Sequence, residues 1–192
     1  LIHWIDEQYQ PIQEADDLVV ARVLIMHASG AAYCGDSRLS RHALGLSARL
    51  CTSFRQLLYV YRQLSDATRD NTDHAFLAWR KREGFTRLLY SIWLHDCMTA
   101  YHFQREPSLA LADAAIPLPC QEKLWSVRNE NEWHSITAQS AILLSPPPTL
   151  IEALQQLYVD KWLPRERGEF ARVLMIHALL HRSWEVDAYY KN

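Results

Sequence analysis

The chain has 192 residues, 49% of them hydrophobic and 22% charged; such a composition excludes a disordered polypeptide and suffices to bury one sizeable core. Lys and Arg number 20 against 22 Asp and Glu, a formal net charge of −2, so the basic excess that neutralises a nucleic-acid backbone is missing and direct DNA binding by this segment is not expected. Apolar runs fall far short of the ~20 residues of a membrane-spanning helix, and no basic-then-apolar leader is present, which reads as soluble.

The chain opens at Leu1, in mid-pattern and without a methionine, as an excerpt of a longer protein does. Only five glycines occur, and the alternation of strands is nowhere sustained. The expected fold is therefore all-α: a single multi-helix bundle domain over residues 1–192, with no sheet.

In chain order, Asp16 or Asp17 caps a first helix through Val19, Leu24 and Met26. It is apolar almost all round, ends near Gly30 to Gly35, and is expected at the centre of the bundle. From Leu39 to Leu64 the residues Leu39, Ala43, Leu46, Leu50, Phe54, Leu57, Tyr61 and Leu64 recur at steps of three and four, with Arg41, Arg49, Arg55 and Arg62 off that stripe. One face is core and the other is wet. A long helix follows from Asp73, its N-cap, to Phe103, with Phe76, Phe85, Leu89, Ile92, Ala100 and Phe103 inward. Glu106-Pro107 ends it, because the residue before proline is pushed out of the α region.

Pro107 to Pro119 reads as an ordered loop, since Ile116-Pro117-Leu118-Pro119 lacks two amide donors. Short helices follow near Gln121 to Val127 and Glu130 to Leu143, then an extended break at Ser145-Pro146-Pro147-Pro148. The last two helices carry Leu150, Ile151, Leu154, Leu157 and Tyr158, and then Phe170, Val173, Leu174, Leu180 and Trp184. The segment Ala21 to Ala28 is nearly repeated as Ala171 to Ala178. A duplicated helix pair would produce this echo, but repeat architectures normally show more copies.

Chemistry is sparse. The four cysteines, Cys34, Cys51, Cys97 and Cys120, stand too far apart for a zinc site or a CxxC pair and read as reduced, buried thiols. His177 and His181 share a helical face, but Ala178 stands where a zinc-protease helix carries its glutamate, so an ordinary pair of partly buried histidines is expected. His95-Asp96 resembles the adjacent pair of metal-dependent phosphohydrolases, for which His42 or His74 and Asp187 would have to complete the shell. Asp96 also falls on the Phe85, Leu89, Ile92 stripe, which predicts a buried carboxylate with an arginine or a helix N-terminus as partner. Nucleophile elbows, phosphate-cradling loops and diphosphate-binding acidic pairs are missing, and the tryptophans and tyrosines read as core.

The stretch Trp79 to Asp96, in which Trp79 precedes Glu83 and an aliphatic run ends in Leu94-His95-Asp96, resembles the helix of the fungal-specific transcription factor domain. Leu118-Pro119-Cys120 followed by Trp125 is similar to the segment after that helix in the branch associated with two-Cys two-His zinc fingers. Trp133, Pro147-Pro148 and the helix from Ala171 to Trp184 come in the family's order, and the likeness extends weakly through Leu39 to Arg62. Gln104-Arg105-Glu106-Pro107 departs from the family's small residue and paired prolines.

The resemblance implies the regulatory middle domain of a nuclear, fungal RNA polymerase II transcription factor, which restrains or transmits activation through protein contacts with the transcription machinery. Some members are thought to sense small molecules. It implies DNA contact and zinc only in a module outside this chain, with no cofactor, catalytic residue or metal ligand here and no membrane association. Trp79, Glu83, Asp96, Pro117, Pro119, Trp125 and Trp133 are then structural. Two other classes remain open: a metal-free enzyme or small-molecule-binding protein on the same scaffold, with a cavity lined by aromatic side chains, and a dimerisation module.

Overall fold

A computed structural model describes residues 16–67, 75–138, 147–161 and 168–191. Among these residues lie seven α-helices: α1 Asp16–Tyr33, α2 Ser37–Ala67, α3 Ala75–Phe103, α4 Glu122–Trp125, α5 Glu130–Ala138, α6 Leu150–Asp160 and α7 Glu169–Lys191. A 3-10 turn, Leu111–Ala114, interrupts the loop between α3 and α4. The described residues contain no sheet. One isolated bridge pairs Pro117 with Thr149, where the Leu118 amide donates to the Pro148 carbonyl at 2.9 Å.

Helices α1, α2 and α3 form an up-down-up bundle. Arg22 lies against Gly84, Ser29 against His95 and Tyr33 against His102, so α1 and α3 run parallel. Ala43 clusters with Phe103 and Ser47 reaches His95, so α2 runs the other way. The predicted α2 stripe is the one that packs: Ala43, Leu46, Leu50, Phe54, Leu57 and Tyr61 are buried, while Arg41, Arg49, Arg55 and Arg62 are exposed. Leu39 is the exception and is exposed, because it lies in the first turn of α2, at the edge of the contact. The side chain of Leu64, and residues Asp73 and His74, lie outside the described residues.

The helix at the centre is α3, not α1. Phe85, Leu89, Tyr90, Ile92, Trp93 and Cys97 are all essentially inaccessible, and α3 touches α1, α2 and α7. Among its described side chains, helix α1 buries Ala21, Leu24, Ala28, Ala31 and Ala32 on one face, leaving Val19 and Met26 exposed at 58% and 75%. The echoed segment repeats this pattern in α7, where Ala171, Leu174 and Ala178 are buried and Val173 and Ile176 are exposed. One Ala-x-x-Leu-x-x-x-Ala face is thus used twice: small residues let each helix approach α3 closely, and the leucine fills the gap between them.

Helix α3 ends before Glu106-Pro107. Gln104 takes a left-handed conformation (φ 50), its amide donates to the Tyr101 carbonyl, and the Arg105 amide donates to the Ala100 carbonyl at 3.0 Å. These two bonds make a Schellman stop, which satisfies the last carbonyls without needing the proline. Helix α6 opens on a capping box: Thr149 Oγ1 accepts from the Glu152 amide, and Glu152 Oε2 accepts from the Thr149 amide at 2.8 Å. Helix α5 is described only to Ala138, so its predicted extension to Leu143 lies outside the described residues, as do Ser145 and Pro146.

Candidate functional site

Residues 108–120 carry few backbone bonds of their own, and polar side chains of α3 supply partners at three levels. Asp96, 1% exposed, accepts from the Ser108 and Leu109 amides through Oδ2 at 2.6 and 2.8 Å, and from Arg105 Nη2 through Oδ1 at 2.9 Å. The Tyr90 hydroxyl, one face further back, donates to the Ile116 carbonyl at 2.6 Å and also lies 3.3 Å from the Ala114 carbonyl. Glu83 Oε1 accepts from the Cys120 amide at 3.0 Å. The loop therefore runs back along α3 in reverse order, strapped at 96, 90 and 83. Leu109, Ile116, Leu118 and Pro119 are buried beneath it, while Pro117 is half-buried at the bridge to Thr149.

At the Glu83 end a second layer of contacts ties in α4 and α7. Arg87 Nε donates to Glu83 Oε1 at 2.8 Å, and Arg87 Nη2 donates to the Cys120 carbonyl at 2.7 Å, with Glu122 3.7 Å away. Burial pushes the Glu83 carboxyl up, against the opposing pull of Arg87. The guanidinium groups of Arg87 and Arg80 both lie over the Trp125 ring, 5.0 and 5.6 Å from its centroid. Phe76, Trp79 and Trp133 form an adjoining aromatic cluster, with ring centroids 5.9 to 6.2 Å apart.

Glu122 in turn receives the first amides of α7, from Glu169 at 2.7 Å and Phe170 at 3.1 Å. Partial burial pulls its carboxyl up, but these amides and Arg87 outweigh it and hold Glu122 below the ordinary carboxylate range. The close approach depends on Gly168. A Cβ there would lie 2.6 Å from Glu122 Oε2, 3.0 Å from the Gln121 Cα and 3.1 Å from the Cys120 carbonyl oxygen. Gly168→Ala is expected to cost about 1–3 kcal/mol, because two of those atoms are backbone. Thermal unfolding of the variant measures it, and a melting point equal to the parent's would refute the contact.

His95 and Asp96, neighbours in sequence, face different partners. His95 Nε2 lies 3.0 Å from Ser47 Oγ, whose hydroxyl donates to the Ala43 carbonyl. Ser47 therefore accepts from Nε2–H, and Nδ1 accepts from the Ser29 hydroxyl at 3.1 Å. This neutral ring clamps α1, α2 and α3 together. Burial lowers its proton affinity below the ordinary histidine value of 6.5, the Asp96 charge opposing. The unfolded chain consequently takes up a proton that the folded chain refuses, and stability present above about pH 6.5 is lost as pH falls toward the folded-state value. His95→Gln is expected to melt lower than the parent at pH 7.5 yet lose less on acidification to pH 5.5. Parallel pH slopes for the two proteins would contradict this.

The other candidate residues do not converge with this pair. His42 packs edge-on to His27 at 6.3 Å. Asp187 lies on the exposed side of α7. His177 Nδ1 donates to the Val173 carbonyl and His181 Nε2 to the Leu109 carbonyl, each at 2.9 Å, so the two rings point to different acceptors. Among the described residues no group of three or more His, Cys, Asp or Glu is placed to hold a metal ion. Cys51 and Cys97 are buried, and burial pushes the Cys51 thiol up to about 12. Cys120 is half-buried, and Cys34 is exposed, contrary to expectation, in the tight link between α1 and α2.

An open groove of about 980 Å³ lies between α6, the 3-10 turn and α7, lined by Leu111, Ile151, Leu154, Tyr158, Leu179 and Val186 among others. Its lining combines aliphatic residues with Tyr158, Tyr190 and the polar Gln155, Arg182, Ser183, Glu185 and Asp187. Sequence periodicity alone does not find Arg87, Arg105, Glu122 or Gly168. Arg87 and Glu83 at helical spacing i, i+4 were the one local signal.

These features define an all-helical domain whose polar residues staple a proline-bearing loop to a central helix. The chain belongs to the fungal specific transcription factor domain family, whose model matches residues 12–187. Similar proteins include Zinc finger protein klf1 of Schizosaccharomyces pombe, 22% identical over 111 residues, which cover 58% of this chain and 14% of that protein. Transcription factor 1 of Elsinoe fawcettii is 30% identical over 83 residues, covering 40% of this chain and 9% of that protein. The chain thus matches only a small part of each relative's length. No solved structure matches it. No helix among the described residues is long and apolar enough to cross a membrane.

Proposed function

We infer that this chain is the regulatory domain of a nuclear, fungal RNA polymerase II transcription factor, and that it modulates activation through contacts with proteins of the transcription machinery. The observation that carries the reading is the family match over residues 12–187. The names of the two relatives agree with it, as does a net charge of −2, which offers no electrostatic footprint for a duplex. On this reading DNA contact and any zinc belong to a module outside the chain, and residues 1–192 act as one domain. Trp79, Glu83, Asp96, Pro117, Pro119, Trp125 and Trp133 serve as scaffold and not as ligand contacts, because their partners lie within the domain.

The α6–α7 groove supports a second, finer reading in which a small apolar effector binds there. Its volume of about 980 Å³ is at the upper end of that of ordinary ligand pockets. A metal-free enzyme on the same scaffold would use the same groove. Incubating the purified chain with a pool of random duplexes tests the regulatory reading: no sequence is expected to be enriched at physiological salt. Reproducible retention of one duplex sequence would overturn it, and turnover of an apolar metabolite would favour the enzyme.

A further inference from the structure

His181, 4% exposed, is held in a fixed orientation. Its ring stacks on Trp93 at 5.7 Å, and its Nε2 lies 2.9 Å from the Leu109 carbonyl oxygen. A carbonyl only accepts, so Nε2 carries the hydrogen and Nδ1 of the neutral ring is a lone pair. That Nδ1 is enclosed and makes no hydrogen bond among the described residues. It faces Glu185 Oε1 at 3.4 Å, while Arg182 holds the other oxygen of the same carboxylate. With the ring neutral, two acceptors face one another there with no donor between them.

Both groups line a cleft of about 240 Å³ whose remaining walls include Glu106, Pro107, Ser108 and Trp184. Among the described residues, two carboxylates, an imidazole and an indole line one small space, with no lysine or arginine in its lining. We propose that this cleft binds a primary alkylammonium group, which enters between Glu185 Oε1 and the enclosed His181 Nδ1, donates to both and lays its alkyl stem along Trp184. An ammonium has three donors and no acceptor, and its charge complements Glu106 and Glu185. The indole face adds cation attraction. A zinc ion is the poorer fit, since His181 and Glu185 give two protein ligands where such sites take three or four.

The cleft is smaller than an ordinary drug-sized pocket, so the ligand is either a short free amine or one lysine side chain of a partner protein. The site does not depend on the regulatory reading. The experiment titrates the 192-residue chain with n-butylamine, 1,4-diaminobutane and a lysine-containing peptide, following the imidazole nitrogens of His181 by NMR. Amine binding is expected to move the Nδ1 resonance, with n-butanol inert and Glu185→Gln weakening affinity at least ~10-fold, while Glu132→Gln on the exposed face of α5 leaves it unchanged. Preference for the diamine assigns a free metabolite, and preference for the peptide assigns a protein lysine. An unmoved resonance at saturating amine, an equal shift with butanol, or an Nδ1 already protonated in the free protein would overturn the proposal.

Discussion

Asp96→Ala is expected to lower the unfolding free energy by about 3–5 kcal/mol, the range for removing one member of a buried ion pair. The carboxylate is 1% exposed and has three donors: the Arg105 guanidinium and the amides of Ser108 and Leu109. Alanine leaves both amides without their acceptor at the point where the loop leaves α3, and leaves Arg105 Nη2 only Thr99 Oγ1, at 3.2 Å. Asp96→Asn separates charge from shape. It keeps one carbonyl oxygen for an amide but turns an NH₂ toward a donor, so its loss is expected to approach that of alanine. Chemical denaturation of the parent and both variants measures the effect. An Asp96→Ala protein with the parent's midpoint and slope would show that the strap contributes nothing.

Arg87→Ala is the second large effect, again about 3–5 kcal/mol. Its guanidinium is the only described side chain that joins Glu83, the Cys120 carbonyl and the Trp125 ring at once. Without it the buried Glu83 carboxylate keeps one amide donor and no charge partner. Arg87→Lys is expected to recover only part of the loss, because a point charge cannot reach two acceptors with the fixed fork of a guanidinium. Full rescue by lysine in a denaturation experiment would mean that charge alone, and not the forked geometry, holds the knot.

The two effects bear on how the domain is built. A loop with prolines at 107, 117 and 119 cannot satisfy its backbone through regular pairing. Donors and acceptors must come from elsewhere, and α3 supplies them along one edge, at Glu83, Tyr90 and Asp96. The same edge, through Arg87 and Glu122, sets where α7 begins. Glu83 and Arg87 are therefore joined to the first turn of α7 through direct contacts with Glu122.

Helices were legible in the sequence because apolar spacing reports them directly: the α2 stripe from Ala43 to Tyr61 packs as its period requires. The place of each helix in the bundle was less legible. Helix α1 reads as apolar all round, yet only its alanine-leucine face is buried and Met26 is exposed; composition does not say which apolar face finds a partner. The burial of Asp96 followed from its position on the Phe85–Ile92 stripe. Its partner Arg105 did not, because the reach from 105 back to 96 depends on the left-handed turn at Gln104. Contacts between distant segments, such as Glu122 with the α7 amides or His181 with Leu109, carry no spacing in the chain. The family resemblance marked Glu83, Asp96 and Trp125 but left their chemistry open.

The most direct measurement is a reporter assay in fungal cells. The chain is fused to an unrelated DNA-binding module, and transcription from that module's promoter is compared with the module alone and with an Asp96→Ala fusion at matched protein level. The parent fusion is expected to change transcription, and Asp96→Ala, with its loop released, to weaken or abolish the change. Equal output from all three proteins would contradict a regulatory role for this domain.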